Sequence, residues 1–198
     1  EDRVKQLPMV KAIPPAMNIQ TLEVPKVEAD DVIGTLARKG LAAGFDVVLV
    51  TADKDFMQLV TKQAGEEQPG ITIYDDMKER VIGIDQVVEK FGVPPEHVVD
   101  ILALIGDTSD NIPGVRGIGP KFGAELIKEF GPVERLLEQV GKVKPRFRDA
   151  LEAGRADAIL SKTLATLKCD LDLEFDPALF AVRPPDREKL SALFRELE

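Results

Sequence analysis

The sequence predicts an α/β core with parallel strands, followed by a helical half. Three observations carry this reading. An amphipathic helical stretch over Ala29–Ala43 leads into Val47–Val50, a continuous β-branched run of the kind found in strands buried on both faces. A short strand, a helix and then a buried strand is the pattern of a parallel sheet. From Gly114 to Leu167 the chain is helical in period, punctuated by glycine and proline.

Along the chain, residues 1–20 are ambiguous. Val4, Leu7, Val10 and Ile13 recur as one helical face, but Pro8, Pro14 and Pro15 interrupt it. Thr21–Val24 reads as the short strand. In the helix over Ala29–Ala43, the spacing turns Val32, Ile33, Leu36 and Leu41 inward, and Gly44 ends it. Ile71–Tyr74 and Arg80–Ile82 form a hairpin across Asp75–Lys78. Helices are expected over Ile84–Phe91 and over Pro94–Ile105, the second with proline in its first turn. Four more follow at Lys121–Phe130, Val133–Val140, Arg146–Ala153 and Ala156–Leu167. Leu171–Phe175 reads as a late strand, and Asp186–Leu197 as a closing helix capped by Asp186. The expected division is therefore an α/β half over 1–105 and a helical half over 106–198.

Composition narrows the function classes. A chain of 198 residues with 44% apolar content builds a core without staples. The lone Cys169 excludes an internal disulfide and fits a reducing, intracellular setting. No apolar run is long enough to span a bilayer and no basic-then-apolar leader stands at Glu1, so the chain reads as cytoplasmic, with no membrane partner. The net charge of −9 weighs against nucleic acid, yet Arg116–Arg148 carries eight basic residues against four acids.

Three acid clusters stand at element ends. Glu28, Asp30 and Asp31 occupy a strand–helix junction, where helix capping is the plain alternative. Asp53 and Asp55 follow the buried strand at its carboxyl end, where sites collect in open α/β sheets. If the chain continues extended there, the two point to the same side; the plain alternative is a polar loop capping Phe56–Val60. Asp107 and Asp110 come where an apolar helix gives way to a loop, and a helical turn carried on to Asp110 would align them. Acids at the carbonyl end of a helix are unfavourable unless a cation is held there. No Cys/His constellation exists for zinc, and the lone His97 reads as a surface or packing residue. All-oxygen sites suit Mg²⁺ or Mn²⁺. Many converging acids suit two such ions ~4 Å apart, an arrangement for in-line displacement at phosphate.

Downstream lies a glycine hairpin, Gly114-Val115-Arg116-Gly117-Ile118-Gly119-Pro120-Lys121. Its glycines let backbone approach a phosphate, the helix start offers free amides, and Lys121 adds a mobile charge. A plain helix–turn–helix connection is the alternative. With basic helices behind it, the motif would hold a duplex backbone without reading sequence.

Together, Glu28-Ala29-Asp30-Asp31, Thr51-Ala52-Asp53-Lys54-Asp55 and Gly106-Asp107-Thr108-Ser109-Asp110-Asn111-Ile112-Pro113-Gly114-Val115 with Gly117-Ile118-Gly119 resemble the 5′-3′ exonuclease (flap endonuclease) domain of bacterial DNA polymerase I, over essentially the whole chain. The resemblance implies a PIN-like α/β fold, a helix-3-turn-helix DNA-binding region and a monomer. It implies two-metal cleavage of 5′ flaps and nicked duplex ends in replication and repair, with a polymerase domain in the parent chain. Glu28 and Asp30 would be first-metal ligands. Asp53, Asp55, Asp107 and Asp110 would be second-metal ligands, with Asp31 near both. Gly114, Arg116, Gly117, Gly119 and Lys121 would hold DNA, and carbonyls of Val115 and Ile118 would hold K⁺. Family members also begin with aspartate-ended strands and a basic helical arch, and this chain opens at a point resembling the end of that arch. The expectation is a nearly complete second-metal site, half of a first, and weak cleavage by this stretch alone. Rival readings are a non-catalytic DNA-binding module that uses the hairpin, a metal-dependent ribonuclease of the PIN class, and a purely structural domain.

Overall fold

The computed structural model describes Asp2–Leu197, with side chains from Leu7 to Glu196. The side chain of Val4, expected on a helical face, lies outside the described residues, as do Glu1 and Glu198. The chain divides into two compact units, residues 1–29 with 172–198, and residues 30–171.

The first unit pairs helix α1 (Asp2–Ala16) with α9 (Arg187–Leu197). The prolines do not break α1. Pro14 and Pro15 sit in its last turn, where each removes one amide that would have donated a turn back. Their carbonyls still accept, from Ile19 N–H at 2.9 Å and Asn18 N–H at 3.0 Å. The Asp186 cap on α9 forms as expected, its Oδ1 accepting from Lys189 N–H at 3.1 Å. The strands expected at Thr21–Val24 and Leu171–Phe175 do not form; both stretches are irregular.

The second unit holds the sheet and the remaining helices. Helix α2 (Ala29–Ala42) precedes β1 (Val47–Val50), and β2 (Ile71–Asp75) and β3 (Arg80–Ile82) complete a three-stranded sheet of order β1-β2-β3. The β1–β2 pair is parallel and β2–β3 antiparallel, so the sheet is mixed. Two expectations change here. Among the described residues β1 is an edge strand paired on one side. Val48 and Val50 are 53% and 67% exposed, so the run is apolar without being buried on both faces. In α2 the inward face is Val32, Thr35 and Ala37, with Leu36 and Leu41 half-buried and Ile33 exposed. Small residues there let the helix lie close to the Lys168–Cys169 backbone. The Thr35 hydroxyl serves that segment twice, donating to Lys168 O at 3.4 Å and accepting from Leu171 N–H at 3.3 Å.

The helical elements follow the sequence reading closely: α3 (Ile84–Phe91), α4 (Val98–Ile105), α5 (Pro120–Phe130), α6 (Val133–Glu138), α7 (Pro145–Ala153) and α8 (Arg155–Ala165). The expected helix over Pro94–Ile105 splits into a tight 3₁₀ turn at Pro95–His97 and then α4. Helix α4 is the hub, packed by α5, α6 and α8. Ile101, Leu102, Ala103 and Leu104 are all buried, as befits a helix apolar on every side. Its one buried acid, Asp100, is fully engaged. The carboxylate accepts from Val133 N–H at 3.0 Å, meets Lys162 Nζ at 2.8 Å, and shares a hydrogen bond with His97 Nδ1 at 2.9 Å. His97 is thus a packing partner, as expected.

Candidate metal centre

The loop after α4 is shaped by its glycines. At Gly106 the backbone leaves the helix with φ +72, and a Cβ there would stand 2.6 Å from Ile112 O. Gly114, at φ +63, lies against the Gly106 backbone with no room for a side chain. The pinched base is tied down three ways. Asp107 and Ile112 exchange both backbone hydrogen bonds at 2.9 and 2.7 Å, Val115 N–H caps the free Leu104 carbonyl at 2.7 Å, and Gly114 N–H donates to Ser161 Oγ at 2.9 Å. Asp107 and Asp110 are therefore brought together by a closed turn. The helical extension expected from their spacing does not occur, because Gly106 ends α4 in a conformation that cannot continue it.

The loop after β1 delivers the third acid. Thr51 Oγ1 accepts from Asp53 N–H at 3.0 Å, and Asp53 Oδ1 accepts from Asp55 N–H at 2.9 Å. These side-chain turns draw the chain out of the extended form into a 3₁₀ helix over Asp55–Leu59, with Lys54 already at helical φ −72, ψ −22. Asp53 and Asp55 consequently do different things. Asp53 is exposed and caps the turn, while Asp55 is half-buried and turned toward the Asp107 loop.

One carboxylate oxygen from each of Asp55, Asp107 and Asp110 lies within 4.8 Å of the others. Asp107 is buried, and its Oδ1 accepts from Ser109 N–H at 2.9 Å while its Oδ2 contacts Lys54 Nζ. Among the described residues Asp55 Oδ1 is buried without a hydrogen-bond partner. Burial, then the charge of Asp53, pushes the Asp55 carboxyl up to about 6. Burial and the neighbouring Asp107 charge raise Asp110. Burial would raise Asp107 too, but the Lys54 and Ser109 hydrogen bonds outweigh it and hold that carboxyl low. Three converging carboxylates, with a buried and unserved oxygen on Asp55, fit a hard divalent cation with oxygen ligands.

The other expected acids are placed differently. Asp31 Oδ1 accepts from Lys168 N–H at 2.9 Å, so it tethers the segment after α8. Asp30 is half-buried in the first turn of α2, and Glu28 is exposed just before that helix. In the hairpin, Arg116, Gly117 and Lys121 are exposed, Gly119 precedes α5 with Pro120 at its first position, and Gly114 is buried at the loop base. The Val115 and Ile118 side chains are buried, and Val115 O accepts from Ile118 N–H at 3.1 Å. Two functional candidates escaped the sequence reading. Lys54 has no role in the sequence reading, though a cation between two acids is a visible signal. Arg146 lies 4.2 Å from the centroids of both Phe122 and its chain neighbour Phe147; the first of these contacts is hidden by sequence separation.

Comparison with known proteins gives these observations a family. Residues 1–92 match the model of the 5′-3′ exonuclease N-terminal resolvase-like domain, and residues 93–188 that of the 5′-3′ exonuclease C-terminal SAM fold. The chain is 38% identical over its whole length to DNA polymerase I of Rhizobium leguminosarum, of which it spans 19%. It is 37% identical over 98% of its length to a 5′-3′ exonuclease of Aquifex aeolicus, of which it spans 63%. Among solved structures, the bacteriophage T5 flap endonuclease in a pseudo-enzyme–product complex with DNA and metal ions superposes with a TM-score of 0.66 at 25% identity, covering 75% of this chain and 53% of that one. The catalytic core of Rad2 with DNA shares the fold at 16% identity and a TM-score of 0.60, over 97% of this chain and 62% of that one. No helix is long and apolar enough to cross a membrane among the described residues. With its two halves matching the two domains of one enzyme family, the chain belongs to the 5′-3′ exonucleases.

Proposed function

We propose that this chain is the nuclease part of a structure-specific, divalent-metal-dependent 5′ nuclease that acts on 5′ flaps or nicked duplex ends in DNA replication and repair. The observation that carries the reading is the convergence of Asp55, Asp107 and Asp110 with a buried, unserved oxygen on Asp55. These residues would hold Mg²⁺ or Mn²⁺, with Asp53 beside them, and Glu28, Asp30 and Asp31 would serve the other ion. Bound there, the ions would supply charge neutralisation for in-line displacement at the scissile phosphate.

What the chain's own residues do follows from their placement. Asp107 is held by the closed turn and Asp55 by the Asp53 cap, so two of the ligands are fixed by backbone geometry before any ligand arrives. Arg116, Lys121 and the amides at the start of α5 would grip a duplex backbone, with K⁺ at the carbonyls of Val115 and Ile118. DNA is the substrate class, and a polymerase domain in the same polypeptide is the expected covalent partner.

The test is Mg²⁺-dependent release of a labelled 5′ flap from a nicked duplex. Weak release is expected of this stretch alone, with loss in Asp107→Asn and retention of duplex binding. Lys121→Ala is expected to weaken duplex binding and its salt dependence without touching metal affinity. Duplex binding with no metal-dependent cleavage, unaltered by Asp107→Asn, would favour the non-catalytic DNA-binding reading instead.

A further inference from the structure

Lys54 stands between Asp53 and Asp55 in the chain, with helical φ, ψ of its own, and its side chain reaches the Asp107 loop. There its ammonium meets Asp107 Oδ2. The other oxygen of Asp107 is already taken by the Ser109 amide, a bond internal to the closed turn. In the most buried acid of the trio, one oxygen is thus hydrogen-bonded to backbone and the other, buried, has only the Lys54 ion pair. The two commitments differ in kind. Releasing Oδ1 means opening the 107–112 turn with its paired backbone bonds, whereas Lys54 has a four-carbon stem and a side chain 27% exposed, with solvent at hand.

We propose that Lys54 is a resident rival of the divalent ion. A cation entering among Asp55, Asp107 and Asp110 takes Asp107 Oδ2 from the Lys54 ammonium, and Lys54 withdraws into solvent as the ion binds. The inference rests on the metal reading of these three acids. An ammonium and a dication drawn onto one carboxylate oxygen repel each other, and in a partly buried site that repulsion is large. Lys54 therefore lowers metal affinity and, in return, restrains three carboxylates that would otherwise repel one another. The Asp107 geometry is thereby held ready for its ligand.

Mn²⁺ titration of the protein by calorimetry, at fixed pH and ionic strength, tests this together with amine labelling. In Lys54→Met, Mn²⁺ should bind the Asp107-dependent site about tenfold tighter, equivalent to about 1.4 kcal/mol of lost competition. Lys54→Arg, which keeps the charge, should stay near the unaltered protein. In the unaltered protein, acetylation of Lys54 by an activated ester, read by mass spectrometry, should rise severalfold on saturation with Mn²⁺ while that of Lys121 stays level. Unchanged or weaker binding by Lys54→Met overturns the proposal, and so does Lys54 labelling that stays level or falls with metal. If Lys54→Met does not fold, the labelling of the unaltered protein decides alone. A protein with no Asp107-dependent Mn²⁺ binding would overturn the metal reading itself, an outcome distinct from a site that binds the ion without moving Lys54.

Discussion

Asp100 and Asp107 stand at opposite ends of the same helix, are both buried, and sit in opposite kinds of surroundings. Asp100 sits in the first turn of α4, where acids are welcome, and every partner it needs is supplied by the fold: a backbone amide, a lysine and a histidine. Burial would raise its carboxyl, but those hydrogen bonds prevail and hold it low. Asp107 sits past the other end of α4, where the helix carbonyls disfavour it, facing two further acids and a single lysine. Its neighbour Asp55 shows the unrelieved cost, a carboxyl pushed up to about 6 first by burial. A satisfied buried acid is part of the architecture. A cluster left short of counter-charge is a place kept for a ligand.

Substitutions can break this contrast. Asp100→Ala should cost the most stability, about 3 kcal/mol in chemical denaturation, because Lys162 and the Val133 amide lose a buried partner; Mn²⁺ affinity should not move. Asp107→Asn should act mainly on the ion, weakening Mn²⁺ binding about a hundredfold, or about 2.8 kcal/mol, with a smaller fall in melting temperature than Asp100→Ala, because only the Lys54 and Ser109 contacts are lost. A melting temperature that collapses with Asp107→Asn would erase the distinction between the two acids.

pH sharpens the contrast, with opposite signs. The folded carboxyl of Asp100 is depressed, so its contribution is present above the ordinary carboxylate range and is lost as pH falls through the folded value. The stability gap between the protein and Asp100→Asn should therefore be widest near neutrality and close in acid. Asp55 is raised from 3.8 to about 6, so its relative stabilisation is full below pH 3.8 and gone once pH rises past about 6. Asp55→Asn should accordingly raise the melting temperature at pH 7.5 in chelator, with the gain absent below pH 3.8. The smallest effect belongs to the rim of the Asp100 network. Glu134, half-exposed and 2.7 Å from Lys162 Nζ, should cost no more than ~0.5 kcal/mol on change to alanine.

Much of this was legible in residues alone. The helices α3 and α5 to α8 carry their own punctuation, such as Pro120 and Pro145 at first positions and Gly92 and Gly131 after the last. Gly106 and Gly114, which close the Asp107 turn, were visible as part of a motif but not as a pair in backbone contact. Thr21–Val24 and Leu171–Phe175 looked like strands because extended propensity is local, whereas a strand exists only with a hydrogen-bonded neighbour. Val48 and Val50 illustrate the same limit for burial: hydrophobicity says what a side chain prefers, and its neighbours determine what it receives.

The sequence by itself determined the order of the elements, the family motifs and the identity of the acids, because turn residues, periodicity and carboxylate spacing are written along one dimension. Only the tertiary structure decided which acids meet. It assembled Asp55, Asp107 and Asp110, gave Asp53 to a turn and Asp31 to the Lys168 amide, and brought Lys54 onto Asp107. Those outcomes depend on a glycine-pinched turn and a 3₁₀ start that fold two distant loops together, and since an ion binds only oxygens about 2 Å away, a few ångströms separate a cap from a ligand.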